Sequence, residues 1–302
     1  MGAVGRRRAL VGGWFSFPWM GATAGDLMVR DIAVEWLEDA GYSCDVAQSD
    51  AFPGGVDWQL ADPAEYSLVA FVCGPLGNGE PATDFFERFR GVPLLGLNLS
   101  MLHPLHEWNP FDKLIERDSS GAARPDLAFA HRGGRVPVVG LVLVHRQREY
   151  PGAMHAEVEA AIDRVLASRE LAVVRIDTCF DPANATGLRT PAEVESLIAR
   201  MDAVVTTRLH GLVLAVKNGI PALALDPVPG GAKIRRQAEV IGWPRVLCAD
   251  EADDEAIASG LDWCLASGGR AAAAECAARA LSGTGAARDE LRGWLAELHP
   301  GR

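Results

Sequence analysis

The chain has 302 residues, enough for two domains of ordinary size, and 49% of them are apolar, enough to fill real cores. Its formal net charge of −11 excludes the basic footprint of a nucleic-acid-binding surface but not a small anionic ligand, because local charge decides that. No apolar run approaches the roughly 18 residues of a transmembrane helix, so no membrane span is expected.

Residues 8–13 predict a first strand entering a glycine turn. A basic head followed by apolar residues also has the look of a leader peptide, but Gly12, Gly13, Pro18 and the tryptophans interrupt it. Apolar residues at Leu27, Ile32, Val34, Trp36 and Leu37 predict a helix over 27–40, stopped by Gly41. Strands are predicted at 42–47, 66–73 and 92–99, with a Gly-rich loop, G-P-L-G-N-G, after the second of these and a short helix over 82–90. Residues 101–135 are less regular, with Pro104, Asn109-Pro110 and Gly133-Gly134, and read as the end of a first domain and a linker. This sets the expected domains at 1–133 and 134–302.

The second domain opens with an apolar strand over 136–144 and the loop H-R-Q-R-E-Y-P-G. A helix over 154–169 and a strand over 171–176 follow. Thr190-Pro191-Ala192-Glu193 is a capping box with proline at the first helical position, so a helix starts there and runs to about 201. A last strand is expected at 246–249, a helix over 253–266, and two helical segments between 270 and 298. Alternating strands and helices specify parallel sheets covered on both faces. The expected fold class is therefore α/β, two Rossmann-like domains in tandem with a C-terminal helical tail. The glycines of G-G-W-F-S-F-P-W-M-G are spaced too widely for a dinucleotide fingerprint. Six cysteines, at 44, 73, 179, 248, 264 and 276, lack C-x-x-C spacing; they read as small buried residues in a reducing, cytoplasmic compartment, not a disulfide framework or zinc site.

The stretch from 202 to 226, D-A-V-V-T-T-R-L-H-G-L-V-L-A-V-K-N-G-I-P-A-L-A-L-D, organises the rest. It reads as a buried parallel strand, a tight turn, an apolar helix ended by Gly219 and Pro221, and another strand. Arg208 and His210 fall where the first strand gives way to the helix. Free backbone N–H groups at a helix start favour an anion, and a crevice at the carboxyl ends of parallel strands is where open α/β sheets bind ligands. Taken alone, Arg208 could equally be a surface charge and His210 a cap or core residue.

The run V-V-T-T-R-L-H-G-L-V-L-A-V-K-N-G-I-P, followed by Lys233 after a Gly-rich loop, resembles the C-terminal signature of the polysaccharide pyruvyl transferase family. Weaker likenesses are A-G-D at 24–26 (for the family's N-x-G-D, with Thr23 where asparagine is expected), E-R-D-S-S at 116–120 for an R-x-x-S helix, and P-D-L-A-F at 125–129 for a strand. The spacer between the last two is shortened. Tandem Rossmann-like domains with a helical tail also resemble the glycosyltransferase-B architecture, whose active site lies between the domains.

The resemblance implies transfer of the enolpyruvyl unit of phosphoenolpyruvate to two hydroxyls of a sugar or glycan, giving a cyclic pyruvate ketal and phosphate. It implies no cofactor and no metal, with phosphoenolpyruvate as donor substrate. Its two anionic groups need cationic forks and N–H donors, and its methylene carbon needs a general acid. By position, Arg208 would clamp phosphate or carboxylate, Leu209 would offer a backbone N–H, and His210 would be ligand or general acid. Lys233 would reach phosphate as a point charge, and Arg146 or Arg148 would supply a second fork, although arginine is abundant here. Asp26, at a helix start in the first domain, is a base, an acceptor contact or simply a cap. His103 and His106, in a Pro-rich loop, are not at a spacing that makes a metal site. Two other functions fit the same sequence. One is a glycosyltransferase using a nucleotide sugar, with Asp226 or the Asp250-Glu251 pair gripping the ribose; the other is a non-catalytic member acting as a binding protein.

Overall fold

The computed structural model describes residues 7–49, 52, 54–119, 123–144, 152–182 and 184–298. The chain divides into two compact units, Met1–Gly133 and Gly134–Arg302.

In the first unit the described strands are β1 (Arg7–Gly13), β2 (Tyr42–Val46), β3 (Leu68–Val72), β4 (Pro75–Leu76), β5 (Leu94–Met101) and β6 (Lys113–Glu116), with α1 (Ala24–Asp39) and α2 (Ala82–Arg88). They form one parallel sheet in the order β2-β1-β3-β5, with β4 and β6 both pairing with β5. The core is aromatic. Phe71 and Phe85 are fully buried with ring centroids 5.7 Å apart, and Phe17 meets Trp58 edge-on at 5.9 Å.

The second unit contains β7 (Val138–Val142), α3 (His155–Ala167), β8 (Ala172–Arg175), α4 (Pro191–Ile198), β9 (Ala203–Thr206), α5 (Leu209–Lys217), β10 (Ala222–Asp226), α6 (Lys233–Ile241), β11 (Val246–Cys248), α7 (Asp254–Leu265) and α8 (Ser267–Leu298). Its parallel sheet runs β11-β10-β9-β7-β8. Both faces are covered because the strands are apolar except at their carboxyl ends, where Arg175, Thr206 and Asp226 stand. Val204, Ala222 and Ala224 pack with α4, α5, α6 and α8, whereas Ala203, Val205, Leu223 and Leu225 pack with α3 and α7. Numbered within its own unit, each sheet follows the order 2-1-3-4-5, apart from the two-residue β4. The fold class is thus the expected α/β one of two Rossmann-like domains with a helical tail, in the flavodoxin variant of the doubly wound order, whose switch point lies between the first and third strands.

Four sequence expectations change. Residues 113–116 form β6, in the stretch read as irregular, because Leu114 and Ile115 pair with β5. Residues 116–119 are the end of that strand and a bend, not a helix. Residues 125–129 enter a single tight helical turn over Leu127–Ala130, set by Asp126 Oδ1 accepting the Ala128 N–H, and are not a strand. The tail is one helix, α8, rather than two segments; Gly283 and Gly285 lie on its open face, where nothing needs them to break it.

Candidate functional site

The switch point of the second unit lies between the carboxyl ends of β7 and β9. The β9-to-α5 turn that borders it is built tightly. Thr206 Oγ1 accepts the Arg208 N–H at 2.9 Å and lies 2.9 Å from the Val142 carbonyl, locking the turn to β7. Gly211 follows because a Cβ there would stand 2.1 Å from Thr206 Oγ1. Only glycine lets α5 start this close to the strand. At the other end, Gly219 takes φ +69, donating to Val216 while Ile220 donates to Ala215 at 2.9 Å, so the helix closes in a Schellman arrangement.

Helix α5 begins with Arg208 as N-cap, no side-chain cap and no acid in its first turn. The bonds of its first turn start at Gly211 and Leu212, which donate to the Arg208 carbonyl, so the N–H groups of Leu209 and His210 point out of the helix start. The Leu209 side chain packs against the core, and His210 is exposed at the edge. Arg208 is nearly buried. One terminal nitrogen lies 3.5 Å from Asp177 Oδ1 and 3.4 Å from Thr178 Oγ1, while its buried Nε has no partner. Its charge is thus held over the edge by the loop after β8, through long contacts, with donor capacity left over. Asp177 was not foreseen from the sequence; it signals itself only by following a strand of the same sheet.

Lys233, after the Gly-rich loop, is the first residue of α6. That helix was missed although Ile234, Ala238 and Ile241 line one face of K-I-R-R-Q-A-E-V-I; it is short and otherwise mostly polar. Its N-terminus is already filled. Asp226, at the end of β10 and 1% exposed, accepts the N–H groups of Ala232, Ile234 and Arg235 on Oδ2, at 2.7–3.1 Å, and that of Val228 on Oδ1 at 3.2 Å. Asp250 Oδ1 accepts the Gly230 N–H, which holds its carboxyl below the usual range, and Glu251 accepts the Cys248 N–H and pairs with Arg235.

The structure therefore brings Arg208, Leu209, His210 and Lys233 to the carboxyl ends of the adjacent strands β9 and β10. Arg146 and Arg148, which follow β7 in sequence, lie outside the described residues. In the first unit Asp26 is the third residue of α1, where Oδ2 accepts both the Thr23 N–H at 2.8 Å and the Thr23 hydroxyl at 2.9 Å while Thr23 accepts the Asp26 N–H. His103 and His106 are exposed, the first edge-on to Trp108 at 6.1 Å.

This segment, from the end of β7 to just past β10, is also where the chain resembles known proteins. Residues 142–227 match the polysaccharide pyruvyl transferase family. The matched segment holds Arg208, Leu209 and His210 and stops short of Lys233. No curated protein matches the sequence. Among solved structures, a calicheamicin glycosyltransferase is similar at TM-score 0.38 and 14% identity, over 98% of this chain and 100% of its own. A spinosyn rhamnosyltransferase is similar at 0.32 and 15%, over 90% and 95%. The UDP-GlcNAc 2-epimerase of Methanocaldococcus jannaschii is similar at 0.31 and 9%, over 86% and 92%. Among the described residues no helix is long and apolar enough to cross a membrane.

Proposed function

We propose that the protein is a pyruvyl transferase that moves the enolpyruvyl unit of phosphoenolpyruvate onto two hydroxyls of a sugar or glycan, releasing phosphate and leaving a cyclic ketal. The observation that carries this reading is the uncapped, acid-free start of α5, inside the matched segment, with Arg208 at its N-cap. A helix start of this kind receives a compact anion. In the proposed reaction Arg208 and the Leu209 and His210 N–H groups hold one anionic end of the donor, and Lys233 approaches from the β10 side. His210 delivers a proton to the methylene carbon, making it a methyl group. One sugar hydroxyl bonds to the adjacent carbon and loses its proton; the phosphate leaves with its bridging oxygen; the second hydroxyl then bonds to the same carbon and its proton is released. No metal or cofactor enters the balance.

The competing reading, a nucleotide-sugar glycosyltransferase, needs a carboxylate on the ribose. The candidates the sequence offered for it, Asp226 and the Asp250-Glu251 pair, are already engaged with backbone N–H groups of their own unit. Thermal-shift titration separates the two readings. Phosphoenolpyruvate at 100 times its dissociation constant stabilises the fold by about 2.7 kcal/mol, and UDP at the same concentration does not. Stabilisation by UDP alone contradicts the proposal.

A further inference from the structure

His155 is the first residue of α3, and the proposed mechanism does not use it. Helix α3 crosses the face of the sheet with α7, and its start is fixed beside β10, where Met154 donates its N–H to the Pro227 carbonyl at 2.8 Å. This puts the His155 ring into a recess shared with Val144, Thr207, Asp226, Lys233 and Ile234, at the carboxyl ends of β7, β9 and β10. Both ring nitrogens are shielded from solvent, and neither has a hydrogen-bond partner among the described residues. A ring nitrogen buried without a partner forfeits its hydration, so this arrangement opposes folding unless something else at the site answers it.

The polar groups around the recess show what would answer it. Thr207 Oγ1 accepts the Val144 N–H at 2.9 Å, which leaves its own proton to donate. Lys233 is a cation at the same wall, and α3 starts there without a side-chain cap, although Glu157 in its first turn offsets part of the helix's own pull on an anion. The one carboxylate among the described residues that line the recess, Asp226, has both oxygens turned onto backbone N–H groups. Donors thus converge from three elements while the acceptor is occupied. The recess measures about 10 Å³, close to the room one water-sized group needs. A single oxygen of an anion fits that description, with the rest of the anion lying outside along β9.

We propose that His155 is a direct ligand of the donor's anion: together with Thr207 and Lys233 it takes one phosphate or carboxylate oxygen in the recess between β9 and β10. This rests on the pyruvyl transferase reading for the identity of the donor, not for the anion itself. The donor then straddles the end of β9. One anionic group meets Arg208 and the start of α5, and the other meets His155 and Lys233. A free phosphate and the phosphate of a larger molecule share this chemistry, and the test distinguishes them.

The experiment compares the full chain with His155→Phe and His155→Asn by calorimetry and thermal unfolding, using phosphoenolpyruvate, inorganic phosphate and UDP as probes. Phenylalanine keeps a ring of similar shape without its nitrogens. A residue that only fills space would lose nothing by this exchange. The proposal expects the ligand-free midpoint of unfolding to stay the same or rise in His155→Phe, affinity for phosphoenolpyruvate to fall at least about tenfold, and His155→Asn to recover part of the loss. Unchanged phosphoenolpyruvate affinity in His155→Phe overturns the ligand role and leaves the pyruvyl transferase reading standing. If the wild-type chain binds UDP and not phosphoenolpyruvate, and His155→Phe loses it, the ligand role stands and the donor assignment falls. If the wild-type chain binds none of the three probes, both fall.

Discussion

The two units share a strand order and differ at the edge where such sheets bind ligands. In the first unit the switch point is filled by its own aromatic residues. Phe15 is fully buried there, and the Trp14 indole lies so close to Gly74 that a Cβ on that residue would stand 2.1 Å from Nε1. The neighbouring helix, α1, is closed by a reciprocal Thr23–Asp26 box and carries an acid in its first turn. In the second unit α5 starts with no cap, no acid and an arginine. Equal topology therefore gives one helix start closed by its own acid and one left open beside an arginine, and the difference lies in a few residues at each helix start.

The largest effect that can break this comparison is expected at His210. His210→Gln keeps some hydrogen bonding but cannot deliver the proton, so turnover, followed as phosphate release, falls by about 10²–10⁴. Phosphoenolpyruvate affinity measured by calorimetry falls much less. Parallel collapse of both would make His210 a ligand only. Next comes Arg208→Ala, which removes a charge-assisted contact to a desolvated anion and costs about 2–5 kcal/mol of phosphoenolpyruvate binding. Affinity equal to wild type would remove Arg208 from the site.

Two smaller effects belong to the first unit. Thr23→Ala opens the capping box of α1 and costs about 0.5–2 kcal/mol of stability, read by chemical unfolding, with phosphoenolpyruvate affinity unchanged. A loss of affinity instead would bring the first unit's edge into donor binding. The smallest effect is one of pH. Burial, aided by the bond from the Tyr66 hydroxyl to Asp45 at 2.9 Å, raises the Tyr66 phenol from 10.0 to about 12. Because the fold favours the neutral phenol, its contribution is whole below pH 10 and is lost as pH rises toward 12. Tyr66→Phe should therefore flatten the alkaline decline in stability between those values, monitored by circular dichroism. An unchanged slope would mean that this phenol does not govern it.

The sequence made the second edge readable because its parts are local. R-L-H-G sits between an apolar strand and an apolar helix, G-I-P stops that helix, and the strand alternation needs no tertiary knowledge. What stayed hidden depends on neighbours distant in sequence. β6 is four residues long and exists through its pairing with β5. α6 is nine residues long and mostly polar, and although Ile234, Ala238 and Ile241 fall on one face, it was not read as a helix, which left the setting of Lys233 unread. The role of Asp226 as the cap of α6 requires the chain to turn back on itself six to nine residues later. His155 was passed over in favour of the arginines before it, since nothing in M-H-A-E-V shows that α3 begins against β10. Asp26, by contrast, was open to both readings from sequence, and its contacts within α1 are those of a cap.

The central claim is that the start of α5 in the second unit, and not the aromatic-filled edge of the first, receives the donor. A crystal structure of the full chain soaked with phosphoenolpyruvate tests it most directly. The account predicts density for an anionic group within hydrogen-bonding distance of the Leu209 and His210 N–H groups and the Arg208 guanidinium. Phosphoenolpyruvate bound at the carboxyl edge of the first unit, with the α5 edge empty at a saturating concentration, would contradict it.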